Sequence, residues 1–466
     1  MVSKILYFLK GLRREFMKNQ TKDMTTGNAT KQIFLFALPL MFGNILQQLY
    51  TTVDTIIVGR KIGVHALAAI GATDWLNWMV LSTVIGFCQG FSILMSHYFG
   101  SEKYDKLKKS ISMSIIIASI ISILATIIFV PSTKSLLIML NTPKNVLNEA
   151  TNYLRIIFLG TSVVAAYNIL SSILRSLGNS KTPLFAMATA SIINIILDIL
   201  FVVVFNFGIS GAAIATVIAQ FISCFICLNS IRKIPILKMN KTDWIIDKHI
   251  ILKLIKLGTP MAFQNTIISI GGIIVQYVIN GFGVVFVAAY TTVMKLYGLL
   301  ELAATSFGFS MATFTGQNMG AKNYKRIKKG MNSALKMAIA TSIVMSILII
   351  VFGKYIVMLF VSGTTQEANE VIKLSHMYLL IMGSFLFILY LLYVYRSAVQ
   401  GMGDTVTPMI SGIVELIMRV AAVLIIPIFI GQNGIFFAEV IAWLGSEILL
   451  MITYYYKLNK YLNGDI

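Results

Sequence analysis

The chain has 466 residues, 57% of them hydrophobic and 12% charged, with a mean hydropathy of +0.82. Soluble domains carry about 25% charged residues, so this composition excludes a large soluble core and indicates a polytopic membrane protein. Three cysteines exclude a disulfide framework. A net charge of +20 would point to nucleic acid in a soluble protein. Here the charge resides in loops that set topology and meet lipid headgroups, and no nucleic-acid partner is expected.

Residues 1–30 form a basic tail with Lys4, Lys10, Arg13, Arg14, Lys18 and Lys22. Its apolar piece, ILYFL, is too short for a signal-peptide core. The tail is read as cytoplasmic and suits an interfacial helix. Apolar runs of roughly 20 residues then recur twelve times, centred near residues 45, 80, 120, 160, 193, 220, 267, 298, 343, 385, 418 and 444. Lipid offers the backbone no hydrogen-bond partner, so all are expected to be helices. With the N-terminus inside, 28 of the 38 Lys and Arg fall in inner segments and 6 in outer ones. The remaining Arg155, Lys295, Lys336 and Arg419 lie in or beside spans. This asymmetry assigns both termini to the cytoplasm.

The first span, PLMFGNILQQLYTTVDTIIVGR (39–60), carries Gln47, Gln48, Tyr50 and Asp54. A carboxylate inside a bilayer is costly unless it is paired, protonated or bound to a cation. The plainer reading has Asp54 capping the outer helix end near Gly59. Tyr50 lies one turn from Asp54 on the same face, where it can donate to the carboxylate or simply pack. In the second span, the Gly86–Gly90 pair reads as a helix-packing GxxxG. In SIINIILDILFVVVFNFGISGAAIATVIAQ (191–220), Asn194 and Asp198 are four apart and share one face. Measured from a turn near Gly208, Asp198 and Thr216 are about 15 and about 12 Å deep, and Asp54 is roughly 8–12 Å below the outer end of its own span, so Asp54, Asp198, Asn194 and Thr216 are expected at similar depth in one lobe. Two carboxylates with amide and hydroxyl oxygens suit a hard cation such as Na⁺, or a shared proton. The competing reading is that Asp198 only hydrogen-bonds a neighbouring helix. Asn168, on the fourth span, is a lower-lying member. Cys224 and Cys227 lie in the apolar run FISCFICL and read as small packing residues.

The second half repeats the first. FALPLMFGN (36–44) echoes KLGTPMAFQN (256–265), FGSEKYDKLKKS (99–110) echoes MGAKNYKRIKKG (319–330), and LGNSKTP (177–183) echoes MGDTVTP (402–408). The offsets are about 220 to 225. Six spans return the chain to its starting side, so the units are parallel and their axis follows the membrane normal. The fold expected is an all-α polytopic membrane protein with 12 transmembrane helices in two six-helix repeats related by a pseudo-twofold. Its parts are the tail 1–30, an N-lobe 31–235 (spans 1–6), a cytoplasmic linker 236–250, a C-lobe 251–458 (spans 7–12) and a C-terminal tail 459–466. Two lobes that rock about a polar cleft make a transporter plan.

In the second half, Glu415 and Arg419 are four apart, which predicts an internal ion pair. Lys295 and Glu301 are six apart, a poor helical pairing. Lys295 is expected to face the cleft or snorkel inward. Gln47, Gln264, Lys295 and Glu301 are the candidate substrate-cleft residues. Glu439 and Glu447 bracket a polar face of the last span. The 24 methionines suit adaptable walls, although lipid-facing positions account for them more simply. No P-loop or HExxH is present and the four histidines are scattered, so neither an enzyme nor an ATP-driven pump is expected.

These motifs resemble the multidrug and toxic compound extrusion (MATE) family, especially bacterial members of the NorM and DinF kind. The resemblance rests on the first-span stretch, the two basic loops, SLGNSKTP, and NIILD followed by GAAIATVIAQ. It implies a V-shaped antiporter, with no cofactor, that exports cationic or amphipathic small molecules in exchange for Na⁺ or H⁺. A monomer surrounded by lipid in the cell inner (plasma) membrane is expected. By motif, the family's coupling residues fall on Asp54, Tyr50, Asn168, Asn194, Asp198 and Thr216. Some NorM-type members carry acids on the seventh and tenth spans, where this chain has Ile268 and Leu389 or Tyr390, so coupling is assigned to the N-lobe. The basic tail before Met24 departs from the pattern and allows a start at Met17 or Met24. The alternative is a lipid-linked precursor flippase of the same wider fold group. Such proteins carry more cleft arginines, whereas this N-lobe is acidic.

Overall fold

The structure is a computed structural model that describes residues 21–140, 142–360 and 366–464. The basic tail up to residue 20, with the interfacial helix expected there and Met17, lies outside the described residues. The helices are α1 (Ala29–Lys61), α2 (Val64–Gly100), α3 (Tyr104–Met139), α4 (Leu147–Leu159), α5 (Thr161–Ser176), α6 (Lys181–Asp198) and α7 (Gly208–Ile231) in the first half. The second half has α8 (Lys248–Asn280), α9 (Val284–Gly320), α10 (Tyr324–Phe360), α11 (Gln366–Ser384), α12 (Leu386–Gly401), α13 (Val406–Ile430) and α14 (Ala438–Asn463). Among the described residues, ten elements are long and apolar enough to cross a bilayer on their own. The pairs α4–α5 and α11–α12 add one span each if their bends of 43° and 50° are taken as breaks within a span. Ten of the twelve expected centres fall inside these helices, and the other two, 160 and 385, fall at the bends of the two broken pairs. Isoleucine and phenylalanine side chains stand exposed along them, among them Ile127, Phe221, Phe225, Ile428 and Phe429, as lipid-facing surfaces require.

The duplication is written into the backbone as well as the sequence. Glu102 and Lys322, 220 residues apart, both adopt a left-handed conformation with φ 56°. That conformation costs a non-glycine residue roughly 1–2 kcal/mol. In both copies the next residue closes the turn, with Lys103 N–H donating to Tyr98 O at 3.0 Å and Asn323 N–H to Asn318 O at 2.8 Å. Gly178 (φ 79°) and Gly403 (φ 90°) make the corresponding left-handed turns 225 residues apart.

The bends repeat too. A broken helix frees carbonyls that lipid cannot satisfy. Thr126 Oγ1 on α3 donates to Phe158 O at 3.1 Å beside the first bend. Ser346 Oγ on α10 donates to Gly383 O at 2.6 Å beside the second. At the first bend, a Cβ on Gly160 would stand 2.4 Å from Val217 Cγ2 of α7, so only glycine admits that approach.

The chain packs as two units. One is Leu38–Ala262 with the described residues up to Thr25, and the other is Thr26–Ala37 with Phe263–Ile466. The start of α1 thus packs in the second unit and the start of α8 in the first. In the first unit, Gly86 and Gly90 of α2 meet α8 backbone to backbone. A Cβ on Gly86 would lie 2.7 Å from Ala262 Cα, and one on Gly90 would lie 2.5 Å from Gly258 Cα. The GxxxG is therefore a packing face, as expected. In the second unit, Ser310 Oγ donates to Ile33 O at 2.9 Å, tying α9 to the start of α1. Cys88 and Cys227 are buried free thiols and Cys224 is a half-buried one. One sequence assignment needs correction. Arg396, counted among inner-loop cations, is buried within α12, because Glu415 on α13 pairs with it.

Candidate functional site

Helix α6 turns one face inward. Ser191, Asn194 and Asp198 are buried while Ile192, Ile196 and Ile199 are exposed, as the four-residue spacing requires. At Asp198, which is fully buried, the α-helix ends and a π-helical segment, Ile199–Val204, begins. Such π segments are rare and frequent at functional sites. Asn194 Nδ2 donates to Thr216 Oγ1 of α7 at 3.5 Å, so the two residues assigned similar depth do meet. Asp54 on α1 and Asp198 interact electrostatically. Tyr50 is buried in the field of both, with its side chain against Gln220 and Gln47.

The hydrogen-bonding inventory is lopsided. Among the described residues, Asp54 Oδ1, Asn194 Oδ1, both carboxylate oxygens of Asp198 and Gln220 Oε1 are buried with no hydrogen-bond partner. All five are acceptors, and no ion pair is recorded for either aspartate among the described residues. Asn168 does not join this group. It is half-buried and donates to Val164 O of its own helix at 2.9 Å.

Two members were missed in the sequence. Gln220 lies one turn beyond Thr216 on α7, so the four-residue spacing could have found it. Tyr153 on α4 is buried in the field of Asp54, Asp74, Tyr50 and Asp198. Only tertiary packing brings it there.

The second unit uses the same framework differently. ATVIA (215–219) corresponds to AEVIA (438–442), which aligns Thr216 with Glu439, and the 225-residue offset aligns Asn194 with Arg419. Where Asn194 meets Thr216, Arg419 meets Glu439 at 2.9 Å. Arg419 also pairs with Glu415 at 2.9 Å, the pair expected from their spacing, and Arg396 meets Glu415 at 2.6 Å. Two arginines and two glutamates thus form a neutral buried chain. Removing one partner of such a chain costs about 3–5 kcal/mol. Tyr393 donates its hydroxyl to Glu301, and Gln400 Nε2 donates to Gln264 Oε1 at 3.1 Å. Lys295 is exposed, as is Gln47 in the first unit. The two sites therefore differ in kind: Glu415 and Glu439 in the second unit are balanced by arginine, whereas among the described residues no ion pair reaches Asp54 or Asp198 in the first.

A family model described as MatE matches residues 39–200 and 260–428, one block in each repeat. The chain belongs to the MatE family. It is a multi-pass membrane transporter of the MATE class. It is 28% identical over 440 residues to the probable multidrug resistance protein YpnP of Bacillus subtilis, covering 93% of this chain and 96% of that one. It is 24% identical to the multidrug export protein MepA of Staphylococcus saprophyticus, covering 89% of each. Among solved structures, an outward-facing multidrug resistance MATE family transporter matches with a TM-score of 0.89 at 21% identity, covering 95% of this chain and 99% of that one. A Pyrococcus furiosus transporter matches with the same score, identity and coverage, and its binding pocket is described as having reverse polarity that suggests a different function. At this identity the likeness concerns the fold, and function must be argued from residues.

Proposed function

We propose that this MATE transporter is a secondary active exporter of cationic or amphipathic small molecules, driven by Na⁺ or H⁺ entering through the first unit. The observation that carries the reading is the group of five orphaned acceptor oxygens on Asp54, Asn194, Asp198 and Gln220. A buried carboxylate whose oxygens accept no hydrogen bond and meet no cation is unfavourable by several kcal/mol. Either coupling ion removes the conflict. A Na⁺ takes oxygen ligands of this kind, with Thr216 as a further donor set member. A proton on Asp198 turns an acceptor into an O–H donor that can satisfy Asn194 Oδ1 or Gln220 Oε1.

That difference makes the site a switch. An ion shifts a conformational equilibrium only by its differential affinity for the two states. The loaded site is neutralised and packs closed, whereas the empty site favours a state in which water reaches the acids. In the proposed cycle the two lobes alternate access, and cargo and ion move in opposite directions. The protein works as a monomer in the cell inner membrane with both termini in the cytoplasm. With Arg396 moved from the inner loops to a buried helix, the inner cations still number 27 against 6.

The test is drug efflux in everted vesicles under separately imposed Na⁺ and proton gradients, with Asp198→Asn beside wild type. Loss of gradient-driven efflux in Asp198→Asn supports the reading, and the effective gradient names the ion. Undiminished efflux in the variant sinks the site. No transport under either gradient would favour the flippase reading.

A further inference from the structure

On the first unit, away from the acid site, the start of α3 and the segment before α8 enclose a cavity of about 580 Å³. Lys106, Lys108, Lys109 and Lys253 line it, with Asp105, Asp243 and Asp247 as the opposing carboxylates. The acids are committed elsewhere. Asp105 pairs with Lys108 at 3.1 Å and Asp247 with Lys109 at 3.6 Å. Asp243 accepts from the Asn240 N–H at 2.7 Å, closing the cap of a short 3₁₀ turn, Lys241–Trp244. Lys106 and Lys253 are exposed and have no carboxylate partner among the described residues.

The rim is apolar. Ile245 lines the cavity, and Trp244, Ile245 and Ile246 stand 44%, 63% and 66% exposed. This is not a loose linker. Ser112 on α3 donates to the Asp243 carbonyl, Leu237 is buried, and Asp247 Oδ1 accepts the N–H groups of His249 and Ile250 at 3.0 and 3.1 Å. The rigid segment therefore holds three exposed apolar side chains beside a lysine cavity. The outward apolar face of α8 begins just beyond, at Leu252 and Ile255, so the cavity sits where the lipid-facing surface starts. Tryptophan at such a level marks the headgroup boundary, and basic pockets there take lipid phosphates.

We propose that this cavity is a binding site for an anionic phospholipid. The lysines Lys106 and Lys253 hold the phosphate, and Trp244, Ile245 and Ile246 lie against the glycerol and upper acyl chain. A free phosphate has no use for the apolar rim. A zwitterionic lipid does not complement the unpaired lysines. The inference is independent of drug export: binding can be measured without transport.

The test uses full-length purified protein in neutral detergent, with dioctanoyl-phosphatidylglycerol as probe, dioctanoyl-phosphatidylcholine as control and inorganic phosphate as competitor. Saturable binding of the anionic lipid is expected, with phosphatidylcholine much weaker and phosphate unable to displace it at equal concentration. Each lysine is worth roughly fivefold. The Lys106→Gln, Lys253→Gln pair should therefore bind about 30-fold more weakly, and the Lys106→Arg, Lys253→Arg pair should bind like wild type. Unchanged affinity in the glutamine pair, equal binding of phosphatidylcholine, or displacement by phosphate overturns the proposal. Should the glutamine pair fail to fold, Trp244→Ala decides: weaker lipid binding with an unchanged melting temperature supports the site, and unchanged binding overturns it.

Discussion

Thr126 on α3 donates its hydroxyl to the carbonyl of Phe158 at 3.1 Å, beside the point where the fourth span bends by 43°. The second repeat keeps the device with Ser346 and Gly383. A bend in a membrane helix is sustainable because a neighbouring hydroxyl meets the carbonyl it releases. Thr126→Val keeps the shape and removes the donor. It should lower stability by about 0.5–1.5 kcal/mol, while Thr126→Ser should not. Thermal unfolding of purified protein measures both, and equal melting temperatures for valine and threonine would remove this role.

Gly90 and Gly258 bring α2 and α8 into backbone contact. A larger residue at Gly90 must push α8 away, because the obstacle is main chain rather than a flexible side chain. Gly90→Val should cost about 1–3 kcal/mol and reduce the yield of monodisperse protein. Gly298→Ala is the control, since nothing lies within 4 Å of a Cβ there. It should match wild type in the same melting assay.

Gln220 supplies one orphaned acceptor and a neighbour for Tyr50. Gln220→Leu removes that oxygen and leaves the aspartates. A hydrogen bond or ligand contact to a charged group is worth about 1.5–3 kcal/mol, so the coupling-ion concentration for half-maximal export should rise about 10- to 100-fold. Export from proteoliposomes at graded ion concentrations reads this directly. An unchanged half-saturation point would exclude Gln220 from the site.

Asp404, between α12 and α13, accepts from the Val406 and Thr407 backbones at 3.1 and 3.0 Å, from Thr407 Oγ1 at 2.6 Å and from Lys457 at 3.0 Å. Partial burial pushes its carboxyl up, but the Thr407 hydrogen bonds and the Lys457 ammonium outweigh it and hold the group below the usual carboxylate range. Its folded value is thus lower than its unfolded value. The stabilisation is complete above about pH 4 and is lost as pH falls through the folded pKa. The melting-temperature gap between wild type and Asp404→Asn should be flat from neutral pH to about 5 and should shrink below about 4. A gap that widens on acidification would contradict this.

The sequence alone determined the twelve spans, their helical state and the duplication. Lipid cannot satisfy a backbone and leaves long apolar helices as the sole solution, and the echoes from FALPLMFGN to MGDTVTP are read directly from the letters. It also grouped Asn194 with Thr216 by depth and paired Glu415 with Arg419, because helical rise and periodicity convert residue number into depth and face. What it could not reach depends on distant helices meeting. Arg396 looked like a loop cation until Glu415 appeared beside it, and Tyr153 carried no local sign of belonging with Asp54 and Asp198. Lys295 and Glu301 share a helix, yet Lys295 is exposed while Glu301 receives the Tyr393 hydroxyl. Whether a buried charge is neutralised or left without a counter-charge is set by side chains from several spans at once. Only the tertiary structure decided that Glu415 and Glu439 are balanced by arginine while, among the described residues, no ion pair reaches Asp54 or Asp198.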